Sequence, residues 1–111
     1  GSLLVYQRDK ILPVRFKDIA LIFIETEITH VYTFAKASYT ISKTMDEVER
    51  LAGSSFFRVN RQFLVNREAI KEASQYFSRT LVLSLTIPIT EKITVSKNRV
   101  SEFLNWLEKG R

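Results

Sequence analysis

Apolar and polar residues alternate along much of this chain, a pattern that predicts β-strands. The clearest case lies at residues 81–95, where Leu, Ile and Val occupy one parity and Ser and Thr most of the other. This period of two predicts a half-buried strand or hairpin, in which Pro88 marks an edge or a bend because proline cannot donate to a ladder. Residues 19–27 begin instead with a continuous apolar run, which predicts a strand that is buried on both faces.

Two more segments are predicted to form pairs of strands. Residues 3–16 carry a polar turn at residues 8–10 between two apolar stretches. Residues 30–42 are rich in β-branched and aromatic residues, and a turn is expected near residues 36–38. The sequence therefore predicts a mainly β fold.

A short helix is predicted at residues 44–53. Thr44 and Glu47 match a capping box, and Gly53 suits the C-terminal end of a helix. The core-facing positions are expected to be Met45, Val48 and either Leu51 or Ala52.

A second helix is predicted at residues 96–111, with Ser96 as its N-cap. Its apolar stripe is expected to comprise Val100, Phe103, Leu104 and Leu107. Trp106 lies beside that stripe, so it belongs either to the core or, partly exposed, to an interface with a partner.

Composition places the chain among single globular domains and excludes several kinds of chemistry. Of its 111 residues, 45% are hydrophobic and 26% are charged. We expect one domain at residues 3–111, because Gly1 and Ser2 resemble a cloning remnant. There is no cysteine, which excludes a thiolate site, and the single histidine, His30, makes a histidine-based metal site very hard to build.

No motif for catalysis or cofactor binding is visible in the sequence. It has no glycine-rich phosphate loop, no cluster of metal ligands and no nucleophile arranged with a base. We therefore expect no catalytic residues, no metal, no cofactor and no enzymatic activity. No apolar run is long enough to span a bilayer and no signal-peptide pattern opens the chain, so a cytoplasmic location without membrane contact is expected.

Charge is segregated along the chain. Residues 1–17 hold four Lys or Arg against one Asp, residues 18–55 hold three against six Asp or Glu, and residues 56–111 hold ten against five Glu. The net charges of these parts are therefore +3, −3 and +5, within a total of +5. Segregated basic charge favours an anionic partner.

The segment FFRVNRQFLVNREAI, residues 56–70, places hydrogen-bonding and cationic side chains among apolar ones. Asn60, Arg61 and Gln62 form a polar cluster at a predicted strand end or loop, with apolar anchors on both sides. Arginine is the commonest bidentate partner of guanine in a major groove, and Asn and Gln bind adenine in the same way. The cluster is therefore a candidate for contacts with DNA bases.

This segment resembles the core motif of the LytTR family of DNA-binding domains. The matching residues are Phe56 or Phe57, Arg58, Asn60, Arg61, Gln62, Phe63, Leu64, Val65 and Asn66. Residues 18–27, 44–51 and 93–107 resemble further blocks of the family, in the family's order, so the resemblance spans about residues 3–107. The chain has Asn60, Gln62 and Lys97 where the family often has His, Ser and Arg, which leaves the preferred base sequence open.

The resemblance implies an elongated antiparallel β-sheet sandwich with a short mid-chain helix and a C-terminal helix. It also implies that loops, rather than a recognition helix, contact DNA. Three segments would do so: the loop at residues 26–30, the motif loop and the segment after Ser96. The DNA-binding residues implied are Thr29, His30, Asn60, Arg61, Gln62, Lys97, Asn98 and Arg99.

Two polar residues of the motif are expected to act inside the protein. Arg58 is expected to pair with an acidic residue such as Glu25. Asn66 is expected to be a structural turn residue, because asparagine hydrogen-bonds nearby backbone in turns.

The sequence thus predicts sequence-specific binding of double-stranded DNA by the output domain of a bacterial transcriptional regulator, of the two-component response-regulator kind. The expected partners are DNA with repeated half-sites and an upstream receiver or sensor domain. The isolated domain is expected to be a monomer that forms a dimer on DNA. The alternative is a basic, β-rich module that binds an acidic protein or peptide.

Overall fold

Strands are the main elements of the structure, a computed structural model that describes residues 1–110. The strands are β1 (Ser2–Gln7), β2 (Lys10–Arg15), β3 (Ile19–Glu25), β4 (Ile28–Thr33), β5 (Ser38–Ile41), β6 (Phe56–Arg58), β7 (Phe63–Asn66), β8 (Ile70–Gln75), β9 (Leu81–Leu85) and β10 (Ile93–Val95). The helices are α1 (Met45–Ala52) and α2 (Val100–Lys109). The prediction of a mainly β fold with a mid-chain helix and a C-terminal helix is confirmed.

The strands pair in antiparallel fashion within two sheets. Seven strands lie in the order β2-β1-β5-β4-β3-β7-β6, and three lie in the order β10-β9-β8. The molecule is elongated, with extents of 44 × 30 × 24 Å. Ile19 to Ile22 in β3 are fully buried, which confirms the prediction of a strand covered on both faces.

Each face of the larger sheet has its own hydrophobic core, because successive residues of a strand point to opposite faces. One core joins Leu21, Phe63 and Val65 to residues of the three-stranded sheet and α2. The other joins Ile22 and Leu64 to residues of β1 and α1. The central strands β3 and β7 therefore lie between the three-stranded sheet with α2 on one side and β1 with α1 on the other.

The alternating segment at residues 81–95 forms β9 and β10, with an irregular connection that contains Pro88. The residues of the predicted apolar parity that are buried are Leu81, Leu83, Ile87, Ile93 and Val95. The alternation is confirmed, and Pro88 lies outside both strands.

Helix α1 begins with the predicted capping box. The Thr44 hydroxyl accepts from the Glu47 N–H at 3.2 Å, and the Glu47 carboxylate accepts from the Thr44 N–H at 2.9 Å. The helix ends at Gly53, whose φ of 76° lies in the region that glycine tolerates best. Ala52 packs on the core while Leu51 is 54% exposed, which decides between the two predicted positions.

The predicted start of the second helix is wrong. A 3₁₀ turn at Lys97–Arg99 precedes α2, which begins at Val100, and the side chain of Ser96 caps no helix. The backbone N–H of Ser96 donates to the carbonyl of Val59 at 3.0 Å, so Ser96 is held in extended geometry beside another segment. Because Ser96 is held in this contact, the α-helix begins only after it, at Val100.

The buried stripe of α2 also differs from the prediction. Phe103 is fully buried, but Leu104 is 46% exposed. Trp106 packs instead on the core, with its ring centroid 5.2 Å from Phe57 and 5.8 Å from Phe103. Its indole N–H donates to the carbonyl of Ser54 at 2.6 Å, so a polar partner satisfies it there.

Candidate nucleic-acid interface

The loop between β6 and β7 is built around the side chain of Asn60. Its Oδ1 accepts from the backbone N–H groups of Gln62, at 2.8 Å, and Phe63, at 3.0 Å. An Asn side chain that bonds its own backbone two residues ahead fixes a turn. Arg61 and Gln62 are exposed at the tip of this loop, so a half-buried asparagine holds two solvent-facing polar residues in place.

Arg58 supports the same loop from below. Its Nη2 donates to the carbonyl of Arg61 at 2.7 Å, and its Nη1 contacts carboxylate oxygens of Asp46, at 2.7 Å, and Glu49, at 3.4 Å. The structural role predicted for Arg58 is present, but the predicted partner Glu25 is wrong. The acidic partners come from α1, which packs beside β6.

Two hydrogen bonds join this loop to the end of β10. The backbone N–H of Ser96 donates to the carbonyl of Val59 at 3.0 Å, and Nδ2 of Asn60 donates to the carbonyl of Thr94 at 2.7 Å. Lys97–Arg99 follows directly, so this segment lies beside the β6–β7 loop. Lys97 and Asn98 are exposed there.

Arg99 has partners within the protein. Its guanidinium carbon lies 4.7 Å from the centroid of the Phe57 ring, and its Nη2 lies 3.3 Å from Oε1 of Glu102. Its side chain is 33% exposed. Arg99 therefore contributes to the packing of α2 as well as to the charge of this region.

The turn between β3 and β4 lies at the same end of the larger sheet. Phe23 pairs with Phe63 across β3 and β7, and the N–H of Ile24 donates to the carbonyl of Gln62 at 3.0 Å. The turn itself consists of Thr26 and Glu27, whose φ values are 51° and 63°. The exposed residues 26–27, 61–62 and 97–98 and the half-buried Asn60 therefore share one end of the molecule, which we call the polar edge.

The first of the three predicted DNA-binding segments differs from the prediction in detail. Thr29 is only 5% exposed, so its predicted place on an accessible surface is wrong. The reason is that β4 begins at Ile28. Successive side chains of a strand point to opposite faces of the sheet, so the side chain of Thr29 points to the buried face. His30 is half-buried one residue further on, with its ring stacked on Phe23 at a centroid distance of 5.1 Å.

Asn66 has the structural role that was predicted for it. It is 3% exposed, its Nδ2 donates to the carbonyl of Ile19 at 2.8 Å, and its Oδ1 accepts from the N–H of Glu68 at 2.9 Å. The bond to Ile19 ties the end of β7 to the start of β3, at the end of this strand pair away from the polar edge.

Of the eight predicted DNA-binding residues, the polar edge presents four as exposed side chains. They are Arg61, Gln62, Lys97 and Asn98. The acidic partners of Arg58 and the bond from the Ser96 N–H to Val59 depend on contacts between separate segments, and no local signal indicates them.

Within residues 1–110, no group of His, Asp and Glu side chains could hold a metal ion. No helix in that part of the chain is both long enough and apolar enough to cross a membrane.

The sequence profile of the LytTr DNA-binding domain matches residues 9–108. The chain is 38% identical over 95 residues to the sensory transduction protein LytT of Bacillus subtilis (strain 168), an alignment that covers 85% of this chain and 38% of that protein. It is 31% identical over 96 residues to the transcriptional regulatory protein YpdB of Escherichia coli (strain K12), covering 86% of this chain and 38% of that protein. The chain thus spans well under half the length of these relatives.

A solved LytTr DNA-binding domain from Bacillus cereus superposes on this structure with a TM-score of 0.83 and 26% sequence identity, and the match covers 96% of each chain. The sequence motif, the profile match and the shared fold agree. This chain therefore belongs to the family of LytTr DNA-binding domains.

Proposed function

We propose that this domain binds double-stranded DNA in a sequence-specific manner through the polar edge. The observation that supports this most strongly is the junction of Asn60 with Thr94, which sets two exposed polar segments side by side. The two segments are residues 61–62 and 97–98, which are far apart in the sequence. A rigid edge of cationic and amide side chains suits the phosphates and base edges of a duplex.

The exposed residues divide by their chemistry. The guanidinium group of Arg61 can bind guanine in bidentate fashion, and the side-chain amide of Gln62 can bind adenine in the same way. We therefore assign both residues to contacts with bases. Lys97 is a flexible point charge that suits a phosphate, and Asn98 beside it suits either a phosphate or a base. Asn60 contributes by holding the loop.

The two flanking positions have smaller roles. Arg99 adds positive charge near the DNA while it packs on Phe57. The end of β3 and the β3–β4 turn carry Glu25 and Glu27, which are both exposed and repel phosphates. Any contact that His30 makes near this turn is therefore with a base edge rather than with the backbone.

In the whole protein, this domain is the output module of a transcriptional regulator, with an upstream receiver or sensor domain and a cytoplasmic location. Its relatives are named as sensory transduction and transcriptional regulatory proteins, and they are much longer than this chain. A single module of this size rarely supplies enough specificity for a genome. We therefore expect a monomer in isolation and two copies on repeated half-sites.

The experiment is a titration of the domain against genomic fragments at two salt concentrations. Binding should weaken steeply as salt rises, because phosphate contacts release counterions, and it should favour particular fragments. Absence of binding at low salt contradicts the proposal.

A protein-interaction module is the second candidate, and one observation favours it. Leu4, Tyr6 and Ile11 are 53%, 47% and 59% exposed, and Tyr6 pairs with Ile11 across β1 and β2. Exposed apolar residues on one sheet face are typical of protein contacts. The same titration separates the candidates, because a pure protein-interaction module has no preference among DNA fragments.

A further inference from the structure

The turn between β8 and β9 has an unusual backbone. The N–H of Thr80 donates to the carbonyl of Phe77 at 3.1 Å, which closes a four-residue turn. The two central residues, Ser78 and Arg79, have φ values of 55° and 63°. Positive φ at both central residues defines a type I′ hairpin turn. This type of turn favours the sequence Asn-Gly, because these two residues adopt positive φ at the lowest cost in free energy.

Strand register places this turn at the polar edge. Leu81 pairs with Val95 across β9 and β10, and Gln75 pairs with Leu81 across β8 and β9. Val95 is followed directly by Ser96, whose backbone N–H donates to the carbonyl of Val59. Since neighbouring strands lie about 4.8 Å apart, the turn begins roughly 10 Å from Val95, on the side away from the β6–β7 loop.

The side chains of this turn are presented to solvent. Phe77 is 76% exposed, and Arg79 is exposed as well. The Phe77 ring lies 4.8 Å from the ring of Tyr76, which is held by Lys92 through a 2.7 Å hydrogen bond to its hydroxyl and a 4.6 Å contact with its ring. The Phe77 side chain therefore contributes little to a hydrophobic core, but the neighbouring Tyr76 is held in place by its contacts with Lys92.

Exposure and position together point to a ligand for this turn, since Arg8 also has positive φ but lies away from the polar edge. A glycine at position 79 would relieve the backbone, but the chain has an arginine there. The strained turn that ends β3 has the same property, since Thr26 and Glu27 also occupy positive φ. Both turns therefore carry side chains, at some cost in folding free energy, at the end of the molecule where the polar edge lies.

We propose that the β8–β9 turn is a fourth DNA-contacting segment, in which Arg79 binds a backbone phosphate and Phe77 packs against a neighbouring deoxyribose. This inference rests on the proposed DNA binding and extends it, since it lengthens the contact surface by about two strand spacings beyond Lys97. The contact is independent of base sequence, because both groups meet the sugar–phosphate backbone.

The test compares Arg79→Gly with Arg8→Gly. Arg8 is also an exposed arginine with positive φ, 58°, in a hairpin turn. It lies at the opposite end of the larger sheet, because β1 runs antiparallel to β5 and β5 ends at the polar edge through the pairing of Ile41 with Thr29. Both substitutions remove one charge and relieve one residue with positive φ, so Arg8→Gly is a matched control for Arg79→Gly.

The measurement is the affinity for a mixed-sequence duplex of about three helical turns, at several salt concentrations. Arg79→Gly is expected to fold at least as well as the wild type, to bind about fivefold to tenfold more weakly near 0.1 M salt, and to lower the salt slope by about one. Arg8→Gly is expected to match the wild type. Phe77→Ala is expected to weaken binding severalfold without a change in the salt slope.

The outcomes separate the two proposals. If the wild-type chain binds and neither Arg79→Gly nor Phe77→Ala binds more weakly than Arg8→Gly, the fourth segment is overturned and the polar edge stands. If the wild-type chain fails to bind the duplex at low salt, DNA binding itself is overturned, and the fourth segment with it.

Discussion

The side-chain amide of Asn60 donates to the carbonyl oxygen of Thr94 at 2.7 Å, and so connects the two β-sheets at the polar edge. The oxygen of the same amide accepts from the N–H groups of Gln62 and Phe63. One side chain therefore determines both the shape of the β6–β7 loop and its distance from Lys97.

Asn60→Asp should destabilise the domain. The carboxylate keeps the acceptor for Gln62 and Phe63 but loses the donor, and it places a negative charge beside the Thr94 carbonyl. The free energy of unfolding, measured in urea, should fall by about 1–3 kcal/mol. Asn98→Asp makes the same chemical change at an exposed position and should leave stability nearly unchanged. Equal stability of the two variants would show that the junction is not the anchor described here.

Arg61→Ala should reduce binding without harming the fold. The side chain is exposed, so stability should stay within about 0.5 kcal/mol of the wild type. Loss of a bidentate contact with a base should cost about 1–3 kcal/mol of binding to the preferred fragment and relax the base preference. Arg8→Ala removes an equal charge far from the polar edge and serves as the control. An Arg61→Ala domain that keeps its full preference among fragments would exclude this residue from base recognition.

Lys97→Ala should weaken binding to all sequences by a similar factor. A phosphate contact adds affinity without sequence information, so the salt slope should fall by about one while the ranking of fragments stays the same. Affinities for a preferred and a random duplex at several salt concentrations measure both quantities. A changed ranking would instead assign Lys97 to a base.

Sequence patterns predicted the elements whose signals are local. The alternation at residues 81–95 and the capping box of Thr44 with Glu47 depend on neighbours in the chain, and both are present. The family motif in the same way located the loop at residues 60–62, since its polar residues stand between apolar anchors.

What the sequence did not predict depends on tertiary contacts. Strand β8 was missed because only Ile70 and Ala73 within it pack on the core, which leaves too few apolar residues for a visible period. Without β8, the position of the Phe77 turn could not be derived. Leu104 continues the helical stripe in the sequence, but it is exposed, and the helix packs through Phe103 and Trp106.

Glu47→Gln should change how stability depends on pH. Hydrogen bonds from the backbone N–H and the side chain of Thr44 hold the pKa of Glu47 below its usual value. A carboxylate with a lowered pKa stabilises the fold above the pKa of the unfolded chain, and this contribution is lost as pH falls through the folded pKa. The stability difference between wild type and Glu47→Gln should thus be present at neutral pH and disappear in acid. Urea unfolding of both proteins at several pH values measures it, and a difference that persists in acid would contradict this account of the cap.

The most direct test of the polar edge is a map of backbone amide shifts in the isotope-labelled domain as a DNA duplex is added. The structure predicts that the largest changes fall at residues 60–62 and 97–98, with further changes at residues 76–79. It also predicts that the turn at residues 8–9, at the other end of the larger sheet, stays unchanged. Changes centred on that turn, with residues 60–62 and 97–98 unaffected, would contradict the central claim that hydrogen-bonded loops at one end of the molecule form the DNA-binding surface.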